Sequence, residues 1–297
     1  MRMRTVLSLI LSVFMIQATA LADTLFVPSQ YSSIQEAVNA ASNGDDIIVD
    51  AGTYWESINT NGTSVDIIGQ SNSTSPGDPG TIIYGNFGSV ITIDADCSLS
   101  NLILRNGIAN RGGGLNVNAN ASAVQVIMDT CWIEECYGSQ GGGIFFDGGQ
   151  TGGTLEMTNC RISRCVSEDA PSSYDEGGGI AFYNGTLAMT NCVLDRNRAA
   201  DPGTNQFGYG GGLYTENSLV SVDGCTFTRN TGFAWYIEND CTASLNNSQF
   251  GCNEPQSPIF GSYSGKNNDL NYSCPVYVAQ DGSGDYSSIQ DAIWSES

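Results

Sequence analysis

The chain has 297 residues, 40% of them hydrophobic and 9% aromatic, which is too apolar for a disordered chain and enough for one large domain or two small ones. Ten basic residues face 31 acidic ones, a formal charge of −21, and a surface of that sign repels nucleic acid and anionic lipid. There are ten cysteines, no Cys-x-x-Cys pair and no histidine, so a Cys/His zinc site is excluded and an all-cysteine one is poorly supported.

In chain order, Met1–Arg4 supplies two positive charges, Val6–Ile16 is mostly apolar, and Ala20-Leu21-Ala22 offers small residues for cleavage. This predicts a signal peptide over residues 1–22, and hence a secreted or cell-surface protein in which disulfides are permitted. The apolar run is short for a bilayer span, and no later stretch approaches one. In Tyr31–Ala41, the residues Ile34, Ala37, Val38 and Ala41 recur at helical spacing, with Ser32 or Ser33 as cap and Gly44 as stop. Residues 31–42 are therefore expected to form a short amphipathic helix that plugs the N-terminal end of the core. Asp46–Tyr54 reads as strand and turn.

From residue 112 onward the chain repeats. Gly112-Gly113-Gly114-Leu115 returns at Gly141–Ile144, Gly177–Ile180 and Gly210–Leu213, in steps of 29, 36 and 33 residues. Cys131-Trp132-Ile133 returns at Cys160–Ile162, Cys192–Leu194 and Cys225–Phe227, in steps of 29, 32 and 33. Within each repeat, short runs such as Leu187-Ala188-Met189 alternate with period two, and Gly, Asn, Asp and Ser fill the corners. A coil of two or three such strands cannot bury its apolar side alone, whereas stacked coils can, with strands pairing in parallel about 4.8 Å apart. Propeller blades need longer repeats, and the ladder of a leucine-rich repeat is missing. A parallel β-helix is thus expected over residues 23–253. The segments Ser167–Glu176 and Ala199–Tyr209 are expected to loop outward.

Stacking turns equivalent positions into neighbours. Cys131, Cys160, Cys192 and Cys225 should form one inward column of buried thiols. Cys136 and Cys165 should begin a second, continued by Asn197, Asn230 and Asn253, whose amides would bond to each other and to corner backbone. One-coil separation suits a disulfide, and Cys136–Cys165 is the first choice for one. Residues 254–276, with Pro255, Pro258 and Pro275, read as a linker whose ends Cys252 and Cys274 would pin. Tyr286–Gln290 is identical to Tyr31–Gln35, so residues 277–297 read as the start of a second, truncated β-helix-like domain. Either the chain is a fragment of a longer multidomain protein, the reading favoured, or the segment survives as a tail.

Tyr31–Tyr54, followed by Trp55-Glu56-Ser57-Ile58, resembles the opening segment of pectin-lyase-like right-handed parallel β-helix proteins. The Gly-Gly-Gly-Ile and Cys-x-Ile-x-x-Asn/Cys repeats resemble those of secreted bacterial β-helix proteins. They are also similar to the Gly-Gly-Ala-Ile and Phe-x-x-Asn repeats of polymorphic outer-membrane proteins, with Phe227-Thr228-Arg229-Asn230 closest. Residues 277–297 look like the start of a pectin methylesterase-like domain. The resemblance implies an all-β fold, a right-handed single-stranded parallel β-helix with a short N-terminal capping helix. It covers roughly residues 25–255 and says little about function, since such proteins include lyases, hydrolases, esterases and adhesins.

The catalytic motifs of galacturonan hydrolases of this fold are missing. Asp129, Asp195 and Asp223 could serve an esterase, but they read better as corner residues, because Asn159 and Asn191 hold related places. Arg161, Arg164, Arg196, Arg198 and Arg229 lie near one turn of successive coils, with Asp175, Glu176 and Asp195 as oxygen ligands for calcium. That cluster would suit a lyase or grip a carboxylated sugar, but ion pairing with acids of neighbouring coils accounts for it more simply. Acidic loops in an exported protein suit calcium, although no Asp-x-Asp-x-Asp-Gly loop is present. Trp132, Trp235, Tyr183, Tyr214, Tyr236 and Phe146 offer stacking surfaces for sugars, and alternation places one of Trp235 and Tyr236 inward and the other outward. No catalytic, cofactor-binding or metal residue is assigned. The function expected is a secreted or cell-surface module, non-catalytic, for adhesion or contact with extracellular polysaccharide. The alternative is a polysaccharide-active enzyme, pectate-lyase-like more than a glycoside hydrolase, and whether it is an enzyme stays open.

Overall fold

A computed structural model describes residues 22–71, 80–119, 123–168, 175–199, 208–255 and 258–270. The signal peptide, apart from Ala22, and the second-domain start at 277–297 lie outside the described residues, as does most of each expected outward loop.

The strands are short, two to six residues, and every pair among them is parallel. They assemble into three long sheets. The first has ten strands, from Thr24–Val27 to Ser264–Lys266. The second has eight, from Gly52–Trp55 to Gln249–Gly251. The third also has eight, from Ile58–Asn59 to Ile259–Phe260. A fourth, three-stranded sheet joins Tyr137–Gly138, Val166–Ser167 and Arg198–Ala199. The chain visits first, second and third sheets in turn and climbs one layer per circuit, which makes a right-handed parallel β-helix. Parallel pairing continues through Ile259–Phe260 and Ser264–Lys266, inside the segment read as a linker.

Alternation puts one side chain of every pair inward. Ile47, Ile67, Leu99, Met128, Met157, Met189, Val222 and Leu245 lie in register up the first sheet, each 0–1% exposed. Burying one such side chain is worth about 1.5–3 kcal/mol against exposure. The core is therefore a continuous column, and each coil is sealed by the one above.

The glycine triplets are where backbone approaches backbone. Gly177 sits at φ +63°, a left-handed corner that only glycine adopts cheaply. A Cβ on Gly178 would lie 2.4 Å from the Arg198 carbonyl carbon of the next coil. The other corners use asparagine where they can, Asn101, Asn159, Asn191 and Asn247 all having φ of 50–55°.

The cysteine columns form as expected in place but not in chemistry. Cys131, Cys160, Cys192 and Cys225 are inward and 1–2% exposed, each thiol donating to a backbone carbonyl, as Cys131 Sγ does to Leu99 O at 3.4 Å. Cys136 and Cys165 are free thiols, contrary to the expected staple. Each thiol instead turns to a backbone carbonyl, Cys136 Sγ donating to Glu134 O at 3.3 Å and Cys165 Sγ to Ser163 O at 3.5 Å, so the two sulfurs do not meet in an S–S bond. Cys252 is disulfide-bonded; its expected partner Cys274 lies outside the described residues. Above Cys165 the column turns to asparagine. Asn230 Nδ2 donates to Leu194 O at 2.9 Å and to Asn253 Oδ1 at 3.1 Å, while its Oδ1 accepts from Asn197 N at 3.0 Å. The expected amide ladder is thus present. Each bond contributes about 1 kcal/mol net, and leaving one of these buried groups unpaired would cost about 1–3 kcal/mol.

The N-terminal helix spans Ile34–Ala40, shorter than the 31–42 expected. Ser33 caps it by accepting from Glu36 N at 3.1 Å. The Glu56 carboxylate accepts from Ile34 N and Gln35 N, both at 3.0 Å, a negative charge where the helix dipole favours one. Ala41, with φ −70°, ends the helix, and Gly44 lies beyond in the following turn. Ile34, Ala37 and Val38 join the core cluster, with Ala41 packed against it, as the spacing predicts.

Candidate functional site

The outer face of the third sheet gathers three of the six aromatic side chains singled out above, Tyr183, Tyr214 and Tyr236. Because Ile144, Ile180, Leu213 and Trp235 point inward, the residues after them point out: Phe145, Ala181, Tyr214 and Tyr236 lie in register, followed by Phe260. Tyr183 stands on the same face two residues along its strand. The rings form a ladder, with centroids 5.5 Å apart for Phe145–Tyr183, 5.5 Å for Tyr183–Tyr214, 5.9 Å for Tyr214–Tyr236 and 4.5 Å for Tyr236–Phe260. Tyr209 and Phe233 pack against Tyr236 from the side, at 4.5 and 5.8 Å. Phe145 and Tyr214 are each 3% exposed, so the accessible end of the ladder is Tyr236 and Phe260, the latter 47% exposed. Trp235 points inward and Tyr236 outward. Trp235 is fully buried, with its indole N–H donating to Thr215 Oγ1 at 3.1 Å. Phe146 is a core residue stacked on Phe182 at 4.6 Å.

Carboxylates flank the ladder. Glu176 bridges in parallel to Gln140 below and Tyr209 above. Its carboxylate accepts from Gln140 Nε2 at 2.8 Å and from the Tyr183 hydroxyl. Burial pushes Glu176 above the usual carboxylate range against those two hydrogen bonds, and the negative fields of Glu216 and Glu238 push the same way. Glu216 accepts from the Tyr214 hydroxyl at 2.9 Å. Burial and these acids in turn raise Tyr183 and Tyr214 well above the ordinary phenol, so both remain hydrogen-bond donors. The Arg111 guanidinium lies 4.8 Å over the Phe145 ring and closes the lower end.

The arginine cluster assembles elsewhere, on the second sheet and the corner after it. Asp195, 3% exposed, is held by Arg196 at 2.9 Å, Arg229 at 2.6 Å and the Thr228 hydroxyl at 2.8 Å, with Arg161 at 4.0 Å. Glu134, also 3% exposed, pairs with Arg105 and lies 3.9 Å from Arg164, which binds Glu135 at 3.0 Å. Arg198 turns away to Glu168 at 3.2 Å. Ion pairing therefore accounts for four of the five arginines outright, between coils for Arg164, Arg198 and Arg229 and within its own coil for Arg196. Asp195 is corrected from corner residue to buried counter-ion. Asp129 and Asp223 do stand at first-sheet corners, accepting from Asn159 at 3.4 Å and Asn247 at 2.7 Å. With Asp195 on the second sheet and Glu176 beside the third, the calcium set of Asp175, Glu176 and Asp195 is not formed. Among the described residues no group of three His, Cys, Asp or Glu is placed to hold a metal ion.

Phe145, Tyr209, Phe233 and Phe260 were not singled out from sequence. Phe145 was legible: counting from inward Ile144 places it outside and Phe146 inside. Phe233 and Phe260 follow breaks in the repeat and left no such signal.

No protein-family model matches the chain, and no curated protein matches its sequence. Among solved structures, pectin methylesterase from Aspergillus niger is 15% identical with a TM-score of 0.46 in its deglycosylated form, covering 89% of this chain and 93% of its own. Rice weevil pectin methyl esterase is 15% identical with a TM-score of 0.38, covering 85% and 89%. Pectate lyase Pel9A is 14% identical with a TM-score of 0.31, covering 89% and 84%.

Proposed function

We propose that the chain is an exported β-helix module that contacts extracellular polysaccharide along the outer face of the third sheet and does not cleave it. The observation that carries this reading is the accessible end of the ring ladder, Tyr236 and Phe260, backed by Tyr214, Tyr183 and Phe145 and flanked by Glu176 and Glu216. Aromatic faces stack on the C–H faces of pyranose rings, and carboxylates beside them accept from sugar hydroxyls. Export rests on the leader at residues 1–22; no described helix is long and apolar enough to cross a membrane. Against catalysis, Gln140 and Tyr183 both donate into Glu176, and Tyr214 donates into Glu216, so each acid is already held by its own coil neighbours.

One observation favours a second reading. A half-buried glutamate with a raised pKa, beside other carboxylates in an aromatic site, has the make-up of a general acid for glycoside cleavage. A glycan array, together with hydrolase and lyase screens with and without calcium, separates the two. The module reading expects binding that Tyr236→Ala weakens about tenfold, with no sugar released. Release of reducing ends that Glu176→Gln abolishes would replace it with the hydrolase, and release of unsaturated sugars with a lyase.

A further inference from the structure

The outer face of the second sheet carries a run of residues that the ladder does not use. In register, one per coil, stand Trp55, Tyr84, Arg105 and Glu134. Two residues earlier in their strands, Trp132 and Arg161 occupy successive coils of the parallel column. Trp55 lies on the terminal strand of this sheet and is 69% exposed, although its ring stacks on Tyr84 at 4.3 Å and 14°. Arg105 reaches the Tyr84 hydroxyl at 3.5 Å and is itself held by Glu134. The indole is therefore a flat, open face with a fixed backing.

Arg161 is the second unusual feature. Arg196 and Arg229 already neutralise Asp195, and Arg105 and Arg164 attend Glu134. Arg161 approaches Asp195 only at 4.0 Å, its side chain is 35% exposed, and its Nε is buried without a hydrogen-bond partner. Its guanidinium stands 5.9 Å over the half-buried Trp132 ring. In a chain with ten basic and 31 acidic residues, a guanidinium not needed for charge balance is left facing outward. Five of the eight cations among the described residues, Arg105, Arg161, Arg164, Arg196 and Arg229, lie on this face or the corner beside it.

We infer that this face is a second glycan-contact surface, specific for a saccharide bearing anionic groups, with a sugar ring on Trp55 and an anionic oxygen pair on Arg161. The inference rests on the glycan reading of the module but uses none of the ladder residues. Trp55 and Arg161 stand four coils apart, about 19 Å at ~4.8 Å per coil, so the ligand is an oligomer and not a single sugar. Guanidinium matches carboxylate and sulfate alike, with two parallel hydrogen bonds. Nucleic acid offers similar oxygens, but it would present a continuous phosphate charge to a protein of charge −21.

The test is calorimetric titration of the whole chain with three hexasaccharides: a neutral glucan, a uronate oligomer and a sulfated oligomer. The expected result is at least tenfold tighter binding of an anionic oligomer than of the neutral one, weakening as salt rises. The uronate and sulfate arms identify which anion is taken. Arg161→Gln and Trp55→Ala should each reduce that binding at least fivefold without moving the melting temperature, since Trp55 is exposed, Arg161 is half-buried with its Nε unbonded, and Asp195 keeps Arg196 and Arg229. Tyr236→Ala should leave the anionic preference intact. Equal affinity for all three oligomers, or anionic binding untouched by both variants, overturns the inference while leaving the ladder reading standing. Absence of binding to any of the three by the parent chain overturns both.

Discussion

Glu176 holds its carboxyl between Gln140, Tyr183 and the ring ladder, where burial disfavours the charged form more than two hydrogen bonds favour it. The folded chain therefore holds that proton more tightly than the unfolded chain does. The stability contributed is full below the ordinary carboxylate range and is lost as pH rises through the raised value. Glu176→Gln keeps the shape and removes the charge. It should melt at a higher temperature than the parent at pH 7, with the difference shrinking toward pH 4, measured by thermal circular dichroism at both pH values. A variant that melts lower than the parent at pH 7 would show that the charged form is the one the site stabilises. Glu36 behaves oppositely: the Ser32 hydroxyl and backbone hydrogen bonds lower it, so what it contributes is lost as pH falls. At this scale the sequence was legible where chemistry repeats and opaque where it does not. The Asn197–Asn230–Asn253 ladder follows from spacing alone. The role of Asp195 does not, because its second counter-ion Arg229 and the Thr228 hydroxyl become neighbours only once register sets two coils face to face.

The element that governs that register is the glycine triplet. The last three triplets lie between a fourth-sheet strand and a third-sheet strand, and the middle glycine lies against the next coil's backbone: a Cβ on Gly211 would sit 2.1 Å from Thr231 O, and one on Gly178 2.4 Å from Arg198 C. Backbone cannot yield as a flexible side-chain end can, so an added methyl must separate two coils and break the parallel hydrogen bonds on either side. Gly178→Ala should cost more than about 3 kcal/mol, in the range of severe core disruption. Gly52→Ala is the control, because its Cβ meets nothing nearer than the Tyr54 ring at 3.7 Å, and it should change stability by less than about 1 kcal/mol. Urea midpoints of the two variants check the contrast, and equal midpoints would refute the idea that the triplet is a close-approach site. The triplets were also the clearest signal in the sequence, since a strained, crowded position admits one residue type and therefore repeats visibly. Strand parity left a fainter trace. Phe145 and Phe146 differ by one step, and only the inward assignment of Ile144 decides which of them joins the ladder.

At the scale of the whole molecule, a β-helix has mostly neighbour-to-neighbour interactions, so its stability is close to a sum over coils and coil interfaces, and opening should start from exposed ends. The core of this stack contains its own reporters. Of the eight free cysteines among the described residues, seven are buried and Cys241 is half-buried. Three of the buried thiols are poor nucleophiles as well as inaccessible: burial raises Cys97 and Cys165, and contact with the Cys160 thiol together with burial pushes Cys192 up to about 12. Under native conditions a thiol reagent should modify Cys241 first. The others should follow at rates set by the opening of their own coils, with Cys131 and Cys160, in the middle of the stack, slower than Cys97 and Cys225 on either side. Timed labelling followed by peptide mass spectrometry reads each position separately. Simultaneous modification of all seven would mean that the molecule opens as one unit, and that the interfaces between adjacent coils, with the ion pairs around Glu134 and Asp195 that bridge them, are coupled too tightly to open one at a time.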